Sequence, residues 1–453
     1  MSLFDKISEN QHLRFVDENN PGQEFGLRDL DSCSFAADKK ELIFLYLDNS
    51  IESVSIFFSA LKSPHALVML SLDLAENFKI ELEKNYSPSF ICDKKRTQIN
   101  GYSKNDSFFE RENKKTTSIH PSIKILLSTS GTTGSPKFVK LSDENLLSNA
   151  HSIAAYLPIQ ATDVTPLNLP IYYSYGLSVL TSNSLKGGKI VCGNTDVLNR
   201  TFWNNLEKFG YTSIAGVPFV YEMLDRIGFR KKDYPSLKYF TQAGGKLQNS
   251  LVKKFADYAE QQRILFFVMY GQTEATARMS YLPPEKLHEK IESIGIPIPG
   301  GKLFLNRENS ELCYEGPNIF GGYVTNPDDL ETFEQRTVLY TGDLASEDKD
   351  GYFYITGRLK RFVKLFGNRI NLDEIESLLT AKFGIACKCV GVNDKKLVVV
   401  SDRLRGEENE IRNYLTEELK IHPSVIVIKE VEEIPLTLNG KVNYNDILSR
   451  YAN

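Results

Sequence analysis

The ten residues 128–137 read Ser-Thr-Ser-Gly-Thr-Thr-Gly-Ser-Pro-Lys, and they follow the short apolar run Ile123–Leu127. Small hydroxyl and glycine residues leave backbone N–H groups free to surround an anion, and Lys137 adds a positive charge. The order differs from the P-loop pattern GxxxxGK[ST]. We therefore predict a phosphate-binding loop that follows a strand and precedes a helix beginning near Ser142. Composition alone would equally describe a flexible polar linker.

The alternation of strand and helix around this loop extends along most of the chain. Segments of helical periodicity separate further short apolar runs, which are Leu42–Leu47, Lys189–Cys192, Ser213–Val217, Tyr239–Ala243 and Ile264–Met269. Such alternation predicts an α/β fold with largely parallel sheets. Residues 291–345 contain closely spaced glycine and proline, which predicts a small β subdomain.

A charged stretch, Thr356–Lys364, marks the clearest domain boundary. Residues 361–453 then predict a helix from near Asn371, two strands, a second helix and a strand. We therefore predict a large N-terminal domain, residues 1–357, of layered αβα sheets with a small β subdomain. A small α+β C-terminal domain, residues 358–453, follows it.

Composition limits the partners of the protein. The 453 residues carry a net charge of −4, whereas nucleic-acid-binding domains are usually basic. The six cysteines fit neither a disulfide framework nor a CxxC metal clip. The first residues lack the pattern of a secretory signal, and no apolar run reaches the ~18 residues of a membrane span. We therefore expect a cytoplasmic location, no nucleic acid and no membrane insertion.

A second motif, Tyr270-Gly271-Gln272-Thr273-Glu274, directly follows a predicted strand. Loops at the carboxyl ends of parallel strands often form the functional crevice of an α/β protein. An aromatic ring can stack on a base, a hydroxyl can contact phosphate and a carboxylate can hold Mg²⁺. Taken alone, the segment also fits a structural turn.

Two further motifs carry charged residues on glycine turns. Tyr340–Asp343 precedes the pair Gly357-Arg358, and an aspartate with an arginine can contact ribose and phosphate. Pro435–Lys441 places a lysine directly after Asn439-Gly440, from where it can project into a cleft. In isolation, both motifs also fit solvated surface turns.

Together and in this order, the four motifs resemble those of the family of AMP-forming acyl-CoA synthetases, nonribosomal-peptide adenylation domains and luciferases. The resemblance runs from about Gln23 to Tyr444. It includes the segments Leu169–Gly176, Thr241–Leu247, Gly295–Pro297 and Gly321–Tyr323. In this family the small C-terminal domain is mobile and rotates between two half-reactions.

The resemblance implies a role for each matching residue. ATP-binding residues would be Thr129, Ser130, Gly131, Thr132, Thr133, Gly134, Lys137, Gly244, Tyr270, Thr273, Asp343 and Arg358. Glu274 and Thr129 would serve the Mg²⁺ ion. Lys441, Thr273 and Glu274 would be catalytic, with Lys441 touching both the substrate carboxylate and the α-phosphate. Lys360 would be the hinge, and Gly367 would let the pantetheine thiol approach.

The resemblance also locates the pocket for the acid. Its expected lining is Tyr173, Phe219, Ala243, Gly244 and Ala277. Amino-acid-activating members carry an aspartate where this chain has Tyr173, which cannot pair with an ammonium group. Because a buried ammonium without a carboxylate is unfavourable, we expect a small carboxylic acid with a neutral acyl, hydroxyacyl or aryl tail.

The implied reaction joins a carboxylic acid and ATP into acyl-AMP and pyrophosphate, and then transfers the acyl group to a phosphopantetheine thiol. Coenzyme A is the first expected acceptor. A basic set of Lys360, Arg361, Lys364 and Arg369 fits a contact with its 3′-phosphate and equally fits a solvated basic face. The alternative is a stand-alone enzyme that loads the phosphopantetheine arm of a carrier protein. A third alternative is a non-catalytic nucleotide-binding protein, against which the retained Lys137, Glu274, Asp343 and Lys441 argue.

Overall fold

The computed structural model describes residues 1–30, 33–113, 118–128, 137–359, 361–365, 368–392, 395–404, 406–437 and 442–451. The chain forms two compact units. The first unit comprises residues 1–303 and 314–339, and the second comprises residues 304–313 and 340–453. The boundary between the two compact units thus lies near residue 340. The domain boundary expected after residue 357 stays a prediction.

The described strands follow the chain in this order: β1 (Arg14–Asp17), β2 (Asn20–Phe25), β3 (Leu42–Leu47), β4 (Ala66–Ser71), β5 (Phe90–Cys92), β6 (Tyr102–Asn105), β7 (Phe108–Arg111), β8 (Ile125–Ser128), β9 (Phe138–Leu141), β10 (Val164–Pro166), β11 (Lys189–Cys192), β12 (Ser213–Gly216), β13 (Tyr239–Gln242), β14 (Leu265–Tyr270), β15 (Ser280–Leu282), β16 (Ile296–Pro297), β17 (Lys302–Leu305), β18 (Glu311–Glu315), β19 (Tyr323–Val324), β20 (Leu339–Glu347), β21 (Phe353–Arg358), β22 (Phe362–Leu365), β23 (Asn368–Asn371), β24 (Cys387–Val392), β25 (Lys396–Ser401) and β26 (Ile426–Glu430).

The described α-helices are α1 (Leu3–Ser8), α2 (Ile51–Lys62), α3 (Glu76–Tyr86), α4 (Asp143–Tyr156), α5 (Ser174–Lys186), α6 (Arg200–Phe209), α7 (Pro218–Arg226), α8 (Asn249–Gln262), α9 (Leu372–Phe383), α10 (Glu408–Leu419) and α11 (Tyr444–Tyr451). Short 3₁₀ turns cover Leu27–Leu30, Phe229–Lys231, Thr273–Ala275, Pro284–Lys286, Pro327–Glu331 and Pro423–Val425. Within the described residues, no helix has both the length and the hydropathy required to cross a bilayer.

The largest sheet of the first unit has the strand order β19-β9-β8-β4-β3-β5-β7-β6. Strand β3 pairs in parallel with β4 and β5, and β4 pairs in parallel with β8. All six residues of β3 are buried, as is usual for a central parallel strand that is covered on both faces. Helix α2 begins after Ser50, whose side chain accepts a hydrogen bond from the backbone N–H of Ser53.

A second sheet of the first unit, in the order β12-β13-β14-β15-β16, positions the candidate site. Its first three strands are parallel, with Gly216 opposite Gln242 and Gln242 opposite Val268. Their carboxyl ends therefore meet at one edge of the sheet. A third sheet has the order β10-β11-β1-β2. These parallel strands, alternating with helices, confirm the predicted α/β class.

The second unit contains a three-stranded sheet, β24-β25-β26, with α9 and α10 against one face and α11 against the other. Residues of β25 alternate between two cores: Leu397 and Val399 pack with α9 and α10, whereas Val398 and Val400 pack with Ile447 of α11. This alternation follows the two-residue period of a strand. The sequence predicted the α+β character of this region but missed the hairpin β22–β23 and the short helix α11.

The short strands predicted within residues 291–345 are present. Of these, β17, β18 and β20 form a four-stranded sheet with β21, whereas β16 and β19 join two sheets of the first unit. Helix α4 begins at Asp143 with Ser142 as its N-cap, which confirms the predicted helix start, but strand β9, antiparallel to β8, lies between the predicted phosphate loop and this helix and was not predicted. All four residues of β9 are buried, which explains why they extend the sheet.

Candidate active site

The Tyr270–Glu274 segment lies where β14 ends, at the edge shared with β12 and β13. Gly271 is required there, since an added Cβ atom would lie 1.8 Å from the carbonyl oxygen of Ala277. The hydroxyl groups of Thr273 and Ser174 are 3.4 Å apart, and Gln272 Nε2 donates to the Tyr270 hydroxyl at 3.2 Å. The predicted nucleotide segment is therefore a tightly folded turn.

Glu274 belongs to a small group of polar side chains that we call the Glu274 cluster: Glu274, Tyr323 and Lys137. The Tyr323 hydroxyl donates to Glu274 Oε1 at 2.9 Å, and Lys137 Nζ lies 3.2 Å from the centre of the Tyr323 ring. Burial raises the pKa of the Tyr323 hydroxyl, and the charge of Glu274 raises it further. The tyrosine therefore stays a hydrogen-bond donor that orients the carboxylate.

Magnesium fits this arrangement. Mg²⁺ is commonly held by one or two carboxylates together with substrate phosphates, so a dedicated cage of side chains is unnecessary. Among the described residues, no group of three or more His, Cys, Asp or Glu forms such a cage. Glu274, oriented by Tyr323, is the carboxylate available at this edge.

The residues expected to line the acid pocket lie mostly beside the same edge. Tyr173 and Ala243 share a buried apolar cluster with Val217. Gly244 has a φ of +88°, and an added Cβ atom would lie 3.2 Å from the Tyr173 hydroxyl and 3.1 Å from Val217 Cγ1. Glycine at this position thus allows the pocket wall to pack closely.

The two other expected pocket residues differ in their surroundings. Ala277 is buried and borders Gly271 through its carbonyl group. Phe219, in the first turn of α7, remains 36% exposed and lies outside the cluster that contains Tyr173. Its role in the pocket stays a prediction.

The second unit brings Asp343 and Arg358 together. They are directly opposite in the antiparallel pair β20–β21, and Arg358 Nε donates to Asp343 Oδ1 at 3.1 Å. Gly342 has a φ of +74°, and its N–H group donates to Glu311 Oε1 at 2.8 Å. Asp343 is buried while the Arg358 side chain is 60% exposed, so the arginine can reach a ligand from this hairpin.

Several predicted site residues lie outside the described part of the chain. These are Thr129, Ser130, Gly131, Thr132, Thr133 and Gly134 of the phosphate loop, the hinge residue Lys360, Gly367 and Lys441. The described end of the loop is Lys137, which contacts Tyr323.

One residue of the basic set is already engaged within the second unit. Arg361 forms ion pairs with Asp373 and Glu376 and donates to the Tyr444 hydroxyl at 2.8 Å. Arg361 is thus engaged within its own unit, and its expected contact with coenzyme A stays a prediction.

Two residues of this region escaped the sequence reasoning as functional candidates. Tyr323 stands in the quoted Gly321–Tyr323 segment, and only its hydrogen bond to Glu274 reveals its place in the site. Arg278 lies four residues after Glu274, and it is almost fully buried. No motif signals either role.

Comparison with known proteins agrees with this geometry. Residues 34–324 match the sequence model of a family described as AMP-binding enzyme. The chain is 27% identical over 344 residues to oxalate–CoA ligase of Arabidopsis thaliana, covering 70% of this chain and 65% of that enzyme. It is also 27% identical over 348 residues to feruloyl-CoA synthase of an Amycolatopsis species, covering 72% of this chain and 70% of that enzyme.

The fold is also that of solved structures. The o-succinylbenzoate–CoA synthetase of Bacillus subtilis, in complex with its acyl-adenylate, superposes with a TM-score of 0.76 at 20% identity, covering 98% of this chain and 97% of that one. The same enzyme with ATP and magnesium gives a TM-score of 0.74 at 19% identity, covering 98% of each chain. These likenesses confirm the predicted two-domain α/β fold. Since the family match covers well over half of the sequence, the chain belongs to the family of AMP-binding enzymes, as its motifs predicted.

Proposed function

We propose that this protein is an AMP-forming acid–thiol ligase. It converts a carboxylic acid and ATP into acyl-AMP and pyrophosphate, and then transfers the acyl group to the thiol of coenzyme A with release of AMP. One observation carries the proposal: Glu274 follows β14 and Ala243 and Gly244 follow β13, its parallel neighbour, so they lie at the same edge of one sheet, and Tyr173 packs with Ala243.

The chemistry of the first half-reaction explains why such a site needs charge. A carboxylate and the α-phosphate of ATP are both anionic, so they must be neutralised and aligned before they react. Lys137 supplies one cation over the ring of Tyr323, the tyrosine that donates to Glu274. Mg²⁺, when bound, would neutralise phosphate charge, and Glu274 would hold it. Tyr270 and Thr273 would position the nucleotide, and Lys441 would complete the site from the C-terminal domain.

Relatives support coenzyme A as the acceptor, because the two similar enzymes are named as a CoA ligase and a CoA synthase. The structure with ATP and magnesium, from an enzyme of the same fold, supports both as cosubstrate and cofactor here. The alignment covers only 65% of the plant relative's length, and its substrate is not transferred to this chain. A carrier protein as acceptor, the absence of nucleic-acid binding and a cytoplasmic location stay predictions.

A two-step assay tests the proposal. Purified protein with Mg-ATP and a panel of carboxylic acids should release pyrophosphate, and hydroxylamine should trap the adenylate as a hydroxamate. Adding coenzyme A should then release AMP and form a thioester. Adenylate formation without any transfer to coenzyme A would favour a carrier protein. Binding of ATP without pyrophosphate release from any acid would contradict the proposed activity.

A further inference from the structure

Arg278 is a buried cation without an acidic partner. Only 3% of the residue is exposed, and no described aspartate or glutamate forms an ion pair with it. Its Nε atom is buried and has no hydrogen-bond partner. Burying a charge is strongly unfavourable unless a counter-charge and hydrogen bonds compensate it. The environment of Arg278 is therefore incomplete without an additional group.

The contacts of Arg278 with other described residues are with neutral groups. Its guanidinium carbon lies 3.9 Å from the centre of the Tyr175 ring, and its charge acts on the Tyr156 hydroxyl. Asn149 and Asn318 each donate a hydrogen bond to its backbone carbonyl at 3.0 Å. These contacts fix the position of the arginine and offer a cation–π attraction, but they provide no counter-charge.

Arg278 lines a narrow cavity on one face of the second sheet. The cavity is bordered by β12, β13 and helices α4 and α5, with Ala215, Tyr239 and Thr241 among its walls. Side chains on one face of a strand recur every second residue. Ala243, part of the expected acid pocket, therefore follows Tyr239 and Thr241 along the same face. The cavity therefore lies on the same face of β13 as Ala243 of the expected acid pocket.

The arginine is also linked to the reacting end of the site. The Thr273 hydroxyl lies 3.4 Å from that of Ser174, and the next residue, Tyr175, carries the ring that Arg278 covers. A strained turn at Thr276, with a φ of +63°, reverses the chain between Glu274 and Arg278. The Thr276 hydroxyl is held by the carbonyl group of Asn318 at 2.8 Å.

We propose that Arg278 binds a second anionic group at the far end of the acid substrate, such as a carboxylate or another oxyanion. This inference rests on the proposed function and names the substrate class of that site. The planar guanidinium presents paired N–H donors that match the two oxygens of a carboxylate. Because the cavity is narrow, the acid is short. This substrate differs from the expected acid with a neutral tail, because that expectation rested on Tyr173 alone and not on Arg278.

Direct binding tests the proposal without requiring turnover. Calorimetry would compare two length-matched pairs, succinate with butanoate and glutarate with pentanoate, in the presence of a non-hydrolysable ATP analogue. The wild type should bind a diacid more tightly than its matched monoacid. Arg278→Met should weaken diacid binding by at least about 30-fold, the usual loss when a buried charge pair is broken, and should change monoacid binding less than about threefold.

Two variants separate recognition from folding. Arg278→Lys keeps the charge without the paired donors, so diacid binding should be intermediate. Arg230→Met is the matched control, because Arg230 also lies over an aromatic ring, that of Phe255, but it pairs with Asp225 and belongs to no part of the site. It should leave all four Kd values unchanged, and the melting temperature of each variant would be measured alongside.

The outcomes are distinct for the two proposals. No preference for either diacid, or an equal loss for diacid and monoacid in Arg278→Met, would overturn the role of Arg278. Pyrophosphate release from any of the four acids is measured separately. Pyrophosphate release from monoacids alone would support the proposed function and refute the role of Arg278. Selective binding of diacids without pyrophosphate release would support the role of Arg278 and contradict the proposed function.

Discussion

Two arginines that are largely withdrawn from solvent, one in each unit, show how differently a protein can accommodate the same charge. Arg361 is enclosed by the carboxylates of Asp373 and Glu376, the Tyr444 hydroxyl and the carbonyl group of Cys389. Arg278 is buried more deeply, yet it faces aromatic rings and a cavity. The first arginine is satisfied by its own domain, and the second is not.

The difference separates a structural charge from a functional one. A buried charge with full compensation contributes to holding elements together, and its removal leaves its partners unpaired. A buried charge that lacks compensation makes folding less favourable and is expected where a ligand supplies the missing partner. Removing the structural charge should therefore reduce stability, and removing the functional one should reduce ligand binding.

Arg361→Met is expected to have the largest effect. It leaves Asp373 and the buried Glu376 without their guanidinium partner, although Lys388 still pairs with Glu376, so the free energy of unfolding of the second unit should fall by about 3 kcal/mol. Arg278→Met removes an unpaired buried charge, so it should lower the free energy of unfolding by less than about 1 kcal/mol or should raise it. Urea denaturation, with limited proteolysis to follow each unit, would measure both. Equal destabilisation by the two variants would break the comparison.

Glu274→Gln should behave like the loss of a functional charge, which lowers activity and leaves stability nearly unchanged. The amide keeps the shape of the side chain and can still accept from Tyr323, but it loses the charge that would hold Mg²⁺. Pyrophosphate release should fall by about 10²-fold, with the free energy of unfolding nearly unchanged. Tyr323→Phe keeps the carboxylate and removes only its hydrogen bond, so its loss of rate should be smaller. A Glu274→Gln variant with wild-type rates at limiting Mg²⁺ would refute the role of the carboxylate.

Lys124 is an intermediate case, since its ammonium is buried but donates to the backbone carbonyl groups of Ser63 and His65. Burial lowers its pKa to about 8, whereas the unfolded chain keeps a lysine pKa near 10.4. The unfolded state thus holds the proton to higher pH, so stability rises with pH between about 8 and 10. Conversely, this contribution is lost as pH falls through about 8.

The measurement is the difference between the wild type and Lys124→Met across that window. The wild type should gain on the order of 2 kcal/mol of unfolding free energy relative to the variant from pH 7.5 to 10. Parallel pH profiles for the two proteins would show that Lys124 has an ordinary pKa in the folded state.

Two glycines allow a similar comparison of a structural with a functional position, based on shape instead of charge. Their substitution is expected to have the smallest effect on stability and binding. Gly244 and Gly300 both have a positive φ, +88° and +83°, but only Gly244 has close neighbours, Val217 and Tyr173. Alanine at either position should cost about 1 kcal/mol of stability through backbone strain. Only Gly244→Ala should also raise the KM for the acid, by about tenfold if roughly 1.4 kcal/mol of binding is lost. Similar KM values for the two variants would place the acid pocket elsewhere.

The sequence determined much of this protein because local patterns carry the information. Apolar runs between helical segments predicted the parallel strands, including β12, β13 and β14, and the motif at Tyr270–Glu274 was correctly expected at a strand end. The order of motifs along the chain was sufficient to indicate the family. Each of these features depends on neighbouring residues or on spacing, which are visible without coordinates.

Only the tertiary structure decided how residues distant in sequence compensate one another. Strand β9 follows the phosphate loop because its residues are buried in the large sheet, which their own pattern does not reveal. Arg361 looks like a solvated basic residue until Asp373 and Glu376 are placed beside it. Arg278 looks equally ordinary, and its missing counter-charge emerges only when Tyr175, more than a hundred residues earlier, packs against it. Burial and charge compensation are properties of spatial neighbours, so a linear pattern cannot specify them.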